Sequence, residues 1–295
     1  MKLQTKKILN AYLFLLIPLI YYCVVRFYPT FLSFFISFTD WNIISEEWKF
    51  VGIKNYIKIF NDEVFMKALG NTFKYVLYGV PSVIIISLLI AILLNNIKKS
   101  QSIYRLIYIL PYITPLVAVS WVWRWLYQKP PMGIINNILI NLGLPSQDFL
   151  YSPQQALLSI VITTVWVNLG YCITIYLAGL QTIPKEYIEA AKIDGANRWQ
   201  AFTRIIIPLL NPITLFLIVN QTISFLRIFT QIYNMSFQGT GGPLYSTISV
   251  VVYSYRKAFL SFEMGIASAS TVILFIIIML ITLFQLKFLN KKIEY

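Results

Sequence analysis

Long runs of Ile, Leu, Val and Phe recur along the chain, separated by shorter stretches that carry most of its charged residues. Crossing about 30 Å of hydrocarbon takes a helix of roughly 20 residues. Six runs reach that length, and we predict one transmembrane helix for each, at 8–34, 73–94, 105–127, 156–180, 209–232 and 264–286. The pattern therefore predicts an all-α polytopic membrane protein. With no internal repeat, we expect a single domain over residues 1–295.

Basic residues are distributed unequally between the segments that join these spans. The ends and loops on one side, at 1–10, 95–105, 181–208 and 287–295, hold 13 Lys and Arg, whereas the loops on the other side hold 7. Because cytoplasmic loops of membrane proteins are enriched in Lys and Arg, this bias predicts that both termini are cytoplasmic. The first run follows three lysines but lacks a small-residue cleavage site, so we interpret it as an uncleaved anchor.

The composition agrees with a membrane location and argues against several classes of function. The chain is 58% hydrophobic and 12% charged, which leaves too little polar surface for a soluble domain. Its net charge of +13 does not indicate nucleic-acid binding, since the basic residues are dispersed among apolar runs. With no histidine and two cysteines, the sequence lacks the usual zinc ligands and the commonest general base. Neither Cys23 nor Cys172 indicates a disulfide.

The stretch EYIEAAKIDGANRWQAFTRIIIP, residues 186–208, interrupts the apolar pattern between the fourth and fifth spans. Seven charged residues lie between Lys185 and Arg204. Placing them at bilayer depth would cost on the order of 20 kcal/mol, so the segment must lie outside the hydrocarbon. Its small and apolar side chains are typical of a docking element for another protein, and equally of a helix resting on lipid headgroups.

Local signals divide this segment into two short helices. Pro184 suits the first turn of a helix, and Gly195 suits a left-handed stop after it. Asn197 can cap a second helix, with Gln200 three residues later as in a capping box. An apolar stripe of Trp199, Phe202, Ile205 and Ile206 follows. The segment is therefore predicted to be a helix, a sharp turn and another helix.

Polar side chains within the fourth and fifth spans are candidates for contact with a solute. Hydroxyl and amide groups suit the hydroxyls of a sugar, and an aromatic face suits its ring, but the same residues commonly bond between packed helices. Arg227 lies near the outer end of its span, where it can snorkel to the surface or meet an anionic solute. The candidates are Thr163, Thr164, Trp166, Asn168, Tyr171, Thr174, Asn220, Gln221, Ser224 and Arg227.

One spacing in the charged segment matches a known signature. Glu189-Ala190-Ala191 is followed, after three intervening residues, by Gly195 and, after nine more, by Ile205-Ile206-Ile207-Pro208. This resembles the EAA signature of the carbohydrate-type permease subunits of binding-protein-dependent ABC importers, with Ile207 in place of Leu. The segments FVGIKNYIKIF, RLIYILPYITP and MGIINNILINLGL resemble the same family. Phe229-Thr230 departs from its frequent Phe-Asp, so no role of that acid is carried over.

The resemblance implies a type I ABC importer permease with a cytoplasmic coupling loop at 181–208. The loop would dock on a separate ATPase dimer, which binds ATP and magnesium, since this chain has no G-x-x-x-x-G-K-[S/T] phosphate loop. No cofactor would be bound by this chain, and it would not itself be an enzyme. Glu189 would supply the polar contact and Gly195 the turn, with close packing from Tyr187, Ala190, Ala191 and Ile193.

Further partners follow from the same resemblance. They are a second, homologous permease subunit, an extracytoplasmic solute-binding protein, membrane lipid and a sugar or related polyol, in the plasma membrane of a prokaryote. The family's sugar site lies on the spans that flank the coupling loop, which favours Asn168, Tyr171, Gln221 and Ser224. The sequence QGTGGP, 238–243, predicts a turn, and outer loops of the family meet the loaded binding protein.

Two other classes of function remain as alternatives. A secondary solute carrier without ATPase partners would more usually show inverted repeats or carboxylates within its spans, and the predicted spans contain no acidic residue. A membrane-embedded enzyme would need a proton-transfer pair that these spans do not offer. Both are therefore less favoured than a transporter subunit.

Overall fold

The computed structural model describes residues 2–45, 48–97 and 101–289. In this part of the chain the regular structure is helical, apart from isolated β-bridges that pair Thr39 with Phe50 and Asn42 with Glu263. Residues 98–100 and 290–295, which carry part of the basic charge assigned to the cytoplasmic side, lie outside the described residues. The prediction that both termini are cytoplasmic therefore stays a prediction.

The α-helices vary from single turns to lengths sufficient to cross a bilayer. In chain order they are α1 (Lys2–Tyr22), α2 (Tyr28–Ile36), α3 (Lys54–Phe60), α4 (Glu63–Asn95), α5 (Gln101–Ile113), α6 (Leu116–Leu126), α7 (Ile134–Asn141), α8 (Ala156–Thr182), α9 (Lys185–Ile193), α10 (Arg198–Ala201), α11 (Ile207–Leu209), α12 (Asn211–Leu226), α13 (Thr230–Met235), α14 (Val250–Phe259) and α15 (Met264–Leu289). Wider π-helical turns join α1 to α2 and α10 to α11.

Four unbroken helical stretches in the described part of the chain are long and apolar enough to cross a membrane. They are Ala11–Ile36, Glu63–Asn95, Ala156–Thr182 and Met264–Leu289, which match the first, second, fourth and sixth predicted spans. The second begins at Glu63 rather than at residue 73, because Phe65, Ala68 and Thr72 extend its buried face beyond the apolar run. The prediction of long apolar helices at these places is confirmed.

The third and fifth predicted spans are bent pairs of helices. Ile103–Ile113 and Leu116–Leu126 meet at 95°, and Arg198–Leu209 and Asn211–Leu226 meet at 64°. The first bend lies at Pro115, which cannot donate a backbone hydrogen bond and disfavours helical geometry in the residue before it. Counting each pair as one span gives up to six in the described residues. Six spans therefore stay a prediction.

The helix of the fifth predicted span ends earlier than residue 232. α12 stops at Leu226 with Arg227 as its C-cap, and α13 starts separately at Thr230. Between them, Ser249 Oγ donates to Ile228 O at 2.7 Å, so this carbonyl bonds to a side chain. The early end of α12 thus coincides with a contact between Ile228 and a residue of a later loop, Ser249, which the hydrophobic periodicity of the span cannot predict.

The chain divides into two compact units, and the prediction of one domain over 1–295 stays a prediction. One unit comprises Met1–Asp62 and Ser254–Ile273. Its turn after α2 is fixed by Asn55, whose Nδ2 donates to Ser37 O at 2.9 Å and to Thr39 O at 2.7 Å. Asn55 is 5% exposed, and both carbonyls would otherwise need other donors.

The second unit comprises Glu63–Tyr253 and Leu274–Tyr295 and is built around α8. α8 packs against α4, α5 and α12. Glycines allow these close crossings: a Cβ at Gly170 would lie 2.2 Å from Tyr108 O of α5, and one at Gly179 would lie 2.1 Å from Cδ1 of Ile213 in α12. The two helices that flank the charged segment, α8 and α12, are therefore in direct contact.

Candidate functional site

Residues 184–201 form a compact helix–turn–helix, which we call the elbow. Pro184 precedes α9 in an extended conformation, with φ −60° and ψ 135°, and Glu186 lies in the first helical turn. Lys192 lies in the last turn. An acidic residue near the N-terminus of a helix and a basic residue near its C-terminus both interact favourably with the helix dipole and so stabilise the helix. The predicted first helix is confirmed, but Pro184 lies at its N-cap and not in its first turn, because its ψ of 135° is extended and not helical.

Gly195 ends this helix in the left-handed conformation that was predicted for it. Its φ is +84°. Gly195 N donates to Lys192 O at 3.1 Å, and Ala196 N donates to Ala191 O at 2.8 Å. These two bonds form a Schellman motif, which satisfies carbonyls that a helix end otherwise leaves unpaired. A Cβ at Gly195 would have no heavy atom within 4 Å, so the backbone angle and not packing favours glycine.

The second helix of the elbow begins with the predicted capping box. Asn197 Oδ1 accepts from Gln200 N at 2.8 Å, and Asn197 N donates to Gln200 Oε1 at 2.8 Å. The π-helical turn Phe202–Ile206 follows and leads through α11 and the 64° bend into α12. Pro208 in α11 lacks the amide hydrogen that a regular helix would use there. The elbow thus continues almost directly into α12.

The elbow exposes several apolar side chains together with an acidic one. Ile193 is 87% exposed, Trp199 69% and Tyr187 45%. Glu189 and Ala190 are exposed as well, and Ala191 is half-buried. Within the described side chains no ion pair involves Glu189. Exposed apolar groups around an available carboxylate are suited to contact another protein.

The four residues favoured for solute contact lie in different environments. Asn168 Nδ2 donates to Thr164 O of its own helix at 2.8 Å, and the Tyr171 ring stacks on Tyr112 of α5 with centroids 5.3 Å apart. Gln221 is 1% exposed, and its Oε1 accepts no hydrogen bond from the described residues. Ser224 is exposed. Their role in binding stays a prediction.

One face of α12 and its C-cap residue carry exposed polar side chains, which we call the polar stripe: Asn220, Ser224 and Arg227. Spacings of four and three residues place them on the same side of the helix. Among the described residues, none hydrogen-bonds or pairs with these three side chains. By contrast, Thr163 and Thr164 in α8 each donate to the carbonyl four residues earlier. The stripe therefore has hydrogen-bonding capacity that the described part of the chain does not use.

A loop at 236–249 is held by three side chains of α4 that the sequence interpretation did not identify. Lys67 Nζ donates to Leu244 O at 2.6 Å, Asn71 Nδ2 to Tyr245 O at 3.0 Å and to Ile248 O at 3.2 Å, and Tyr75 Oη to Thr247 O at 3.0 Å. Leu244 and Tyr245 have φ of 53° and 59°. Polar residues spaced four apart on an apolar helix are the signal that points to such a clamp.

Comparison with known proteins identifies the family. Residues 63–295 match the model of the binding-protein-dependent transport system inner membrane component. The chain belongs to this family. The permease is 40% identical over 266 residues to the probable ABC transporter permease protein YesP of Bacillus subtilis (strain 168), covering 89% of this chain and 84% of that protein.

Two further comparisons cover nearly the whole permease. It is 33% identical over 294 residues to the multiple sugar-binding transport system permease protein MsmF of Streptococcus mutans serotype c, covering 98% and 99% of the two chains. It also matches a chain of a bacterial alginate ABC transporter that was crystallised with an alginate pentasaccharide-bound periplasmic protein. The TM-score is 0.80 and the sequence identity 25%, and the match covers 96% of this chain and 94% of that chain. The predicted relationship is confirmed: the chain is an ABC transporter permease and a multi-pass membrane protein.

Proposed function

We propose that this permease is the transmembrane subunit of an ATP-driven importer that brings a sugar or related polyol into the cytoplasm of a prokaryote. Support comes from the relatives, which include a multiple sugar-binding transport system permease and a permease of an alginate transporter. In this proposal six spans cross the plasma membrane, and both termini are cytoplasmic. The bent pairs α5–α6 and α11–α12 then each count as one span.

The observation that carries the proposal is the exposed elbow with its Schellman turn. We place it in a cleft of a separate ATPase subunit. Glu189 contributes the polar contact, and Tyr187, Ala190, Ala191 and Ile193 pack closely. ATP and magnesium belong to that partner, whose dimer closes on ATP. Because an unpaired buried charge is costly, the ATPase must offer Glu189 a cation or hydrogen-bond donors.

Movement of the elbow would reach the helices that carry the candidate solute residues. Two residues separate α8 from α9, and the π-helical turn joins α10 to α11 and α12 without a loop. α8 and α12 also contact each other, where Tyr176 Oη donates to Thr214 Oγ1 at 3.3 Å. A rotation of the elbow therefore displaces both helices, and with them Asn168 and Ser224, instead of being absorbed by a flexible linker.

Further subunits complete the proposed importer. A second, homologous permease pairs with this one, and an extracytoplasmic solute-binding protein delivers the sugar. The crystallised alginate transporter contains a periplasmic protein, which supports this arrangement. The 236–249 loop, held by α4, is the part of this chain that we assign to contact with the binding protein.

Reconstitution tests the proposal. The permease is purified with the partners encoded beside it and placed in liposomes with ATP enclosed, and uptake of sugars delivered by the binding protein is measured. We expect uptake that requires ATP hydrolysis, and thermal stabilisation of the binding protein by sugars or polyols. Uptake driven by an ion gradient without ATP would favour a secondary carrier. Stabilisation by amino acids or metal ions alone would overturn the substrate class.

A further inference from the structure

The polar stripe of α12 indicates the charge of the solute as well as its carbohydrate character. We propose that Asn220, Ser224 and Arg227 bind a carbohydrate that carries an oxyanion, either a carboxylate or a phosphate. The inference rests on the proposed function and makes it more specific, because it assigns a charge to the solute and a surface that receives it.

The first step concerns what can cover this face of α12. All three side chains are exposed and unused by the described residues, although Asn220 and Ser224 lie in α12, Arg227 is its C-cap, and the other face of this helix is buried. Lipid tails cannot satisfy an amide, a hydroxyl and a guanidinium. The face must therefore meet water and a solute, or polar groups of another subunit.

The second step concerns the charge of Arg227. None of the ion pairs among the described residues involves Arg227, so its guanidinium has no acidic partner there. Arg124 differs, since its Nη1 donates to Asn234 O at 3.1 Å and its guanidinium lies 4.8 Å from the centroid of the Trp121 ring. A guanidinium with free donors pairs best with a planar carboxylate or with phosphate.

The third step separates a solute from a lipid headgroup. A headgroup phosphate could reach Arg227 at the helix end, but it would leave Asn220 and Ser224 uncovered further along the helix. The seven residue steps from Asn220 to Arg227 extend about 10 Å at helical rise. A carbohydrate offers hydroxyls for the amide and the serine together with an oxyanion for the arginine. One ligand of this class therefore satisfies all three groups.

The first experiment uses the complete reconstituted importer with its binding protein. Matched neutral, carboxylated and phosphorylated sugars are each tested for thermal stabilisation of the binding protein and for ATP-driven uptake. We expect uptake of a carboxylated or a phosphorylated sugar, and the comparison between them distinguishes the two oxyanions. Uptake restricted to neutral sugars would overturn this inference and leave the proposed function intact. Failure to take up any carbohydrate would contradict the proposed function itself.

The second experiment tests the residue. Arg227→Gln should raise the KM for uptake of the anionic sugar by roughly 10- to 100-fold, as expected from the loss of a charge-assisted hydrogen bond. Arg227→Lys keeps the positive charge but lacks the planar set of donors of a guanidinium, so its KM should lie between those of Arg227→Gln and the wild type. Lys74→Gln is the matched control: Lys74 is an exposed cation of α4 beside the exposed apolar Leu77 and Tyr78, and we expect an unchanged KM.

A membrane anchor or a subunit contact gives a different result. If Arg227 only anchors the helix in the headgroup region, Arg227→Trp should preserve function, because tryptophan also favours that region. The inference requires Arg227→Trp to raise the KM as Arg227→Gln does. Wild-type KM in either variant would refute it. If the second permease no longer co-purified with Arg227→Gln, the inference would also be refuted, because the stripe would then belong to the contact between the two permeases.

Discussion

Gly195 offers the sharpest test of how the elbow is built. Its φ of +84° lies where a side chain other than glycine costs about 1–2 kcal/mol. An added Cβ would meet no heavy atom within 4 Å, so backbone strain is the whole cost within this chain. Strain of that size shifts the equilibrium between the formed and the opened turn roughly 5- to 30-fold. Asparagine tolerates this conformation better than alanine, and valine least of all.

The assay measures how the Gly195→Asn, Gly195→Ala and Gly195→Val variants hold the ATPase subunit and import sugar in liposomes. We expect ATPase retention and uptake to fall in that order, with Gly195→Asn near the wild type. The thermal stability of the membrane-embedded permease should change little, because the strain is local to the elbow. Equal losses for asparagine and valine would refute the conformational reasoning, because asparagine adopts a positive φ far more readily than the β-branched valine.

Three further predictions concern packing, the clamped loop and topology. Gly170→Val places atoms against a carbonyl of α5 and should lower the melting temperature, whereas Gly70→Ala, with no atom within 4 Å of its Cβ, should not. Asn71→Ala removes two hydrogen bonds to carbonyls of the 236–249 loop, so amide hydrogen exchange in that loop should increase. In a cysteine-free background, Ile193→Cys should be labelled from the cytoplasm and Phe237→Cys from outside, since both positions are exposed; labelling from the same side would contradict the proposed topology.

The local structure of the elbow could be predicted because its signals are local. Pro184, Gly195, Asn197 and Gln200 each act through backbone geometry or bonds within four residues; Gly195, Asn197 and Gln200 have the predicted places, and Pro184 lies at the N-cap, just before the predicted first turn. The long apolar helices were predictable for a similar reason, since hydrophobic run length is a local property. The bend at Pro115 is consistent with proline chemistry, although its angle of 95° could not be predicted.

Features that depend on tertiary contacts could not be predicted in the same way. The early end of α12 goes with a bond from Ser249 to Ile228 O, twenty-one residues apart. The burial of Gln221 and the exposure of Ser224, three residues apart, depend on how α4 and α8 pack against α12, which composition does not show. Polarity alone therefore indicated candidate residues on α12, and the packing of α4 and α8 separated them into a buried face and an exposed polar stripe.

The central claim is that the elbow transmits the ATP cycle of a partner, and Glu189 tests it most directly. Glu186 and Glu189 are both exposed glutamates of α9. The affinity of the purified ATPase subunit is measured for Glu189→Lys and for Glu186→Lys. Because Glu189→Lys reverses the charge at a docked contact, it should weaken the binding of the ATPase subunit at least about 30-fold and abolish ATP-driven uptake. Glu186→Lys should lower the affinity for the ATPase subunit by less than about 5-fold, as expected from the weaker interaction with the helix dipole alone. Equal affinities for the two variants would contradict the account.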